Sequence, residues 1–146
     1  MINVEKFLPH FFIKNDSLFN TLSILSLAML IDYITGMLAA KKESIEHPDN
    51  PNYGWSSKKS IRGIYKKVGY IVIDLVSIIT DYLIYTISNQ LGLSFNHKTV
   101  FGILVSLWLI INELISILEN SARMGAQLPK FLQKVLAELK KDVEDM

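Results

Sequence analysis

Val68–Ile87 reads VGYIVIDLVSIITDYLIYTI, a run apolar and long enough to cross a bilayer that still carries two carboxylates, Asp74 and Asp81. As a helix, about 20 residues rising about 1.5 Å each cover the hydrocarbon core. Two further runs share the pattern: Leu18–Ala40 contains Asp32, and Val100–Leu118 contains Glu113. The whole chain of 146 residues is 50% hydrophobic, with a mean hydropathy of +0.29. These runs predict an all-α integral membrane protein with three transmembrane helices near 18–40, 68–87 and 100–118. A soluble bundle of three apolar helices is the alternative, but its helices need broad polar faces, and these runs lack them.

On helical wheels at about 100° per residue the polar residues of each run fall on one side. Tyr70, Asp74, Ser77, Asp81, Tyr85 and Ser88 form a stripe on the second run, and Gly102, Ser106, Glu113, Ser116 and Asn120 on the third. The first carries Ala28, Asp32, Gly36 and Ala40 at four-residue spacing, flanked by Thr21 and Thr35. Small residues at that spacing let helices approach closely in lipid, and polar groups beside them hydrogen-bond across the contact. The stripes are therefore read as packing or lumen faces. Within the predicted spans Asp32, Asp74, Asp81 and Glu113 have no basic partner. A charge at mid-bilayer costs about 2.5–3.5 kcal/mol on insertion scales, so these acids are expected to be protonated or to face water. Two readings stand: hydrogen-bonding pegs of a static bundle, or residues that line an aqueous hole once copies oligomerise.

Formal net charge is only +1, which gives no argument for a nucleic-acid partner, but the charges are unevenly placed. Seven Lys and Arg lie between the first and second runs and five after the third, so twelve of the 15 share one side of a three-span topology. The positive-inside rule then puts the N-terminus outside and the C-terminus in the cytoplasm. The connection 41–67 contains a turn-rich part around Pro48 and Pro51, then a basic segment with Lys58, Lys59, Arg62, Lys66 and Lys67. Beginning at Ser56 or Ser57, that segment is expected to form a cationic interfacial helix on the membrane surface, feeding the second span. After the third run, Leu128, Leu132, Val135, Leu136, Leu139 and Val143 recur at helical intervals, which predicts an amphipathic cytoplasmic helix. The expected organisation is an N-terminal segment 1–17, a membrane domain 18–118 and a tail 119–146.

Nothing in the sequence suggests catalysis. There is no Cys, the three His residues are scattered, and neither an HExxH motif nor a glycine-rich phosphate loop occurs. No cofactor or metal is expected.

At Asn112–Leu136, NELISILENSARMGAQLPKFLQKVL, the chain resembles the phage-lysis and toxin-secretion holin family. The resemblance rests on Asn112, Glu113, Ser116, Ile117, Glu119, Asn120, Gly125 and Pro129. Asp32, Thr35 and Gly36 look like that family's first-span element, and Ser56, Ser57, Gly63 and Lys67 like its basic segment. It implies a protein that accumulates in the bacterial cytoplasmic membrane and then oligomerises into large lesions. Through these an endolysin, or in some relatives a toxin, leaves the cell. The implied partners are other copies of itself, the lipid bilayer and an antiholin. A small ion or proton channel, an accessory membrane subunit and an antiholin are the competing readings, since acidic rings also serve cation pores.

Overall fold

The computed structural model describes residues 16–50, 53–54, 57–93 and 99–144. It is all-helical over those residues: α1 (Asp16–Glu46), α2 (Ser57–Gln90), α3 (Val100–Arg123) and α4 (Lys130–Glu144). The expected N-terminal segment, apart from its last two residues, lies outside the described residues, as do the side chains of Lys58 and Lys59.

Each of the first three helices contains a segment long and apolar enough to cross a membrane. All three outrun the spans predicted from hydropathy at one end or both. α1 continues six residues past Ala40 because its charges are paired locally, with Lys42 Nζ 2.7 Å from Glu46 one turn on. The basic segment is not a separate surface helix. It forms the first turns of α2, whose 34 residues extend about 51 Å. No proline interrupts the chain from Lys58 to Gln90, so nothing breaks the backbone ladder between the basic turns and the span.

The helices run up, down, up. α3 is central and packs against both α1 and α2. α1 and α3 are parallel: a Cβ at Gly102 would stand 3.2 Å from Leu18 Cδ1, and Glu43 meets Arg123 at the far end. α2 is antiparallel to α3, with Asp81 beside Gly102 and Lys67 beside Glu113. Two Schellman turns end the helices that need sharp stops. At Gly92 (φ +70°) and Gly125 (φ +96°) the left-handed conformation favours glycine. The following amides return to Ser88 and Ser121 carbonyls at 2.9 and 3.0 Å.

Burial is inverted relative to a water-soluble bundle. Ser106, Glu113, Asp74 and Asp81 are buried, while Leu30, Leu75, Leu104, Trp108 and most other large apolar side chains are half-exposed. The buried apolar cluster is small, comprising Leu25, Leu109 and Ile110 with Met29, Tyr70 and Val105 against it. That is the expected solution in lipid, where apolar surface gains nothing from leaving an equally apolar solvent and polar contacts hold helices together. Hydroxyls outside the contacts bond back to their own helix, as Ser23 and Ser26 do to the carbonyls of Phe19 and Leu22 at 2.8 and 2.9 Å.

At Gly102 side chains of both α1 and α2 crowd α3. A Cβ there would meet Asp81 Oδ2 and Leu18 Cδ1 at 3.2 Å and Ile78 Cγ1 at 3.4 Å, whereas at Gly36 it would meet Asn120 Nδ2 at an ordinary 3.5 Å. Gly102→Val is expected to destabilise the bundle by about 1–3 kcal/mol through overpacking. Gly36→Ala should leave it nearly unchanged. Thermal unfolding of the two variants in detergent, followed by circular dichroism, checks the difference.

Candidate functional site

The stripes predicted on α2 and α3 meet along one line. α2 contributes Lys67, Asp74 and Asp81 at seven-residue spacing, and the antiparallel register matches them to Glu113, Ser106 and the first turn of α3. From Gly102 to Asn120 the seam spans about 27 Å of helix, close to the thickness of the hydrocarbon core.

At its α3 N-terminal end, Asp81 is buried and has no cation partner among the described residues. Its two carboxylate oxygens accept the amides of Phe101 and Gly102 at 2.9 and 2.7 Å. Those amides belong to the first turn of α3, where backbone N–H groups have no partner within the helix. Thr99, at the N-cap position, makes no side-chain cap. Asp81 therefore caps α3 from a neighbouring helix, and its negative charge lies at the positive end of the α3 dipole. One turn deeper, the Ser106 hydroxyl lies 2.7 Å from both Asp74 Oδ1 and the Gly102 carbonyl. With one proton to give, it donates to one of them at a time. Ser77 donates to the Asp74 carbonyl at 2.7 Å.

The other end holds an ion triad. Lys67 Nζ lies 2.9 Å from Asp32 Oδ2 and also contacts Glu113 Oε2, so one ammonium ties α1, α2 and α3 together. The Glu113 side chain is 1% exposed and those of Lys67 and Asp32 are 16% exposed. The second oxygen of Asp32 accepts Asn120 Nδ2 at 3.0 Å. Asn120 Oδ1 in turn accepts Arg123 Nη1 at 3.0 Å, and Arg123 forks onto both oxygens of Glu43 at 2.8 Å. This network borders a cleft of about 200 Å³ between α1, α2 and α3, lined among others by Asp32, Gly36, Lys67, Ser116 and Asn120.

Asp32 and Glu113 do find a basic partner, one residue outside the predicted second span, which the spans alone did not reveal. Lys67, assigned from the sequence to the membrane surface, is the partner of both, because α2 continues without a break and points this turn inward. Arg62 and Lys66 of the same segment are exposed, Lys66 lying 5.3 Å from the centre of the Tyr70 ring. The signal that identifies Lys67 is its spacing: it precedes Asp74 by the same seven residues that separate Asp74 from Asp81. Ser116, Gly36 and Ala40 are only half-buried, while Ala28 and Ala39 are buried on α1. Among the described residues, no buried side-chain nitrogen or oxygen is without a hydrogen-bond partner. No group of three metal-ligating side chains converges among them either.

The bacteriophage holin family model matches residues 11–141. The chain belongs to that family. This holin chain is 35% identical over 121 residues to an uncharacterized protein of Halalkalibacterium halodurans, covering 83% of this chain and 78% of the relative. It is 32% identical over 111 residues to an uncharacterized protein of Clostridium perfringens, covering 76% and 68% of the two chains. A third uncharacterized relative, from Clostridium acetobutylicum, is 32% identical over 120 residues, covering 82% and 80%. No solved structure matches. With the three apolar helices, the family makes this a multi-pass membrane protein of holin type.

Two predictions follow from the seam. Lys67→Met leaves the buried Glu113 and part-buried Asp32 carboxylates without their cation and should cost up to about 3–5 kcal/mol, the range for breaking a buried ion pair. Adding Asp32→Asn should recover part of that loss, a coupling readable in a double-mutant cycle of detergent unfolding. Asp81→Ala should cost about 0.5–2 kcal/mol as a lost helix cap. Hydrogen exchange should then rise first at the amides of Phe101 and Gly102.

Proposed function

We propose that the chain is a holin that oligomerises in the bacterial cytoplasmic membrane into lesions large enough to release an endolysin or a secreted toxin. The observation that carries this reading is the acid-bearing seam, which runs about 27 Å between helices whose outer faces are apolar. Such a chain can sit in lipid as an inert monomer, since its polar groups satisfy one another. It also stores the groups needed to line water. In the assembled state Asp32, Gly36, Asp74, Ser77, Asp81, Gly102, Ser106, Glu113, Ser116 and Asn120 pack the helices or face the lumen. Buried acids that exchange internal partners for water lose no hydrogen bonding, whereas the same residues turned toward lipid would be left bare.

The N-terminus lies outside and the C-terminus in the cytoplasm, supported by the twelve basic residues on the latter side. Lys58, Lys59, Arg62 and Lys66 meet lipid headgroups there. The protein's partners are other copies of itself, the bilayer and an antiholin; it catalyses nothing, and its link to the endolysin or toxin is one of passage.

The test is induction in bacteria that carry a cytoplasmic fluorescent protein, with membrane potential and leakage followed together. A delayed, sudden loss of both is expected. Depolarisation with the fluorescent protein retained would replace this reading with an ion channel, and no effect on either would replace it with an antiholin or a passive subunit. In the same assay the pair Asp74→Asn and Asp81→Asn should change the onset of leakage and the lesion size; unchanged values would remove these two residues from the lumen.

A further inference from the structure

We infer that copies of this chain join by exchanging α2, so that the α2 of one copy docks in the α3 groove of a second copy. The inference rests on the proposed self-assembly and concerns the joining step that precedes any lumen.

The contacts divide unevenly. α1 and α3 share the more extensive interface, with Leu18, Leu25, Leu109 and Ile110 buried in the bundle. α2 is held to α3 largely through polar ties: Lys67 to Glu113, Asp74 to Ser106, and Asp81 to the amides of Phe101 and Gly102. Among the described residues α1 and α2 pack little on each other, and Lys67 to Asp32 is an ion pair between them. α2 is therefore the detachable helix. Its large apolar side chains, Ile71, Leu75 and Ile79 among them, are half-exposed, and in lipid the contacts of Tyr70 and Ile78 with the bundle carry no solvophobic drive.

Its polar stripe cannot remain bare. Each buried polar side-chain atom among the described residues is already satisfied within the chain, so an association that separates α2 from α3 must remake those bonds. A second copy offers the same acceptors and donors in the same register, which is the condition under which exchange of an identical element costs little. Charge complementarity repeats as well: a Lys67 that leaves its own Asp32 and Glu113 meets the same two carboxylates on the next copy.

The connections are long enough. Residues 47–56 join α1 to α2 and 91–99 join α2 to α3. Segments of ten and nine residues reach about 30 Å when extended, against about 8–10 Å between packed helix axes. The first gains that reach by undoing its fold-back onto α1. That turn is held by the amides of Asn50 and Tyr53 on the carbonyls of His47 and Asn50, and by the His47–Tyr53 ring contact.

The absence of native cysteine allows a direct test. Two differently tagged full-length chains, one Asp74→Cys and the other Ser106→Cys, are induced together and oxidised at intervals. A third chain carries both substitutions, and fluorescent-protein release by the unsubstituted chain is measured in parallel. The expected result is a dimer-mass band bearing both tags that appears at the onset of assembly, while the doubly substituted chain shifts from internal to intermolecular cross-linking. Internal cross-linking throughout, with release still occurring, would overturn the exchange and leave the holin reading standing. Mixed dimers without release would support exchange and remove that reading.

A second pair of variants covers failure of the cysteine chains to fold. Lys67→Glu and Glu113→Lys chains each disrupt the triad internally, but when co-expressed both triads can be completed between copies. Assembly, read by chemical cross-linking of the tagged chains, should be lost with either variant alone and recovered with both. Recovery only when both substitutions are in one chain would overturn the exchange.

Discussion

One ammonium, that of Lys67, holds the three spans in register. Asp32 arrives from α1 and Glu113 from α3, and neither carboxylate is tolerable in hydrocarbon without a counter-charge or a proton. Lys67 reaches both where α2, antiparallel to α3, brings its inner turns between α1 and α3. The same register carries Asp74 to Ser106 and Asp81 to the open amides at the start of α3. A slip of one residue along α2 would rotate this stripe by about 100° and strand its acids toward lipid. The electrostatic requirement of one residue thus constrains the whole bundle.

The seam explains how such a polar set of helices is accommodated in a membrane. Helices in lipid are not driven together by burial of apolar surface, and the internal apolar cluster here is correspondingly small. What holds α2 is a short series of directional bonds spaced seven residues apart. Each bond is specific, and each can be remade with an equivalent group or with water. A soluble bundle with a packed apolar core has no comparable alternative state, because opening it exposes surface for which water is a poor solvent.

Asp81 illustrates how a buried carboxylate can be held by the start of a neighbouring helix. Two backbone amides and the α3 dipole supply its counter-charge. Its role is as much to start α3 as to hold α2, and the close approach at Gly102 follows from it, since a larger residue would displace either the carboxylate or Leu18. At the opposite end the Arg123–Glu43 fork and the Schellman turn at Gly125 finish α3 next to the C-terminal turns of α1.

The spans, their acids and the holin motif at Asn112–Leu136 were legible in the sequence, because hydropathy over about 20 residues and a helical period of 3.6 are local properties. So was the common stripe of Asp74, Ser77 and Asp81. The role of Lys67 was not: hydropathy ends the span at Val68 and assigns the preceding basic residues to the surface. Only the tertiary structure shows α2 running unbroken through that boundary and turning Lys67 inward. The identity of each acid's partner was equally hidden, whether a lysine 35 positions away from Asp32 or a helix end 20 positions away from Asp81. The sequence determined which groups must avoid lipid, since transfer cost belongs to the side chain alone. Which group satisfies which was decided by helix direction and register, which exist only once three helices are packed.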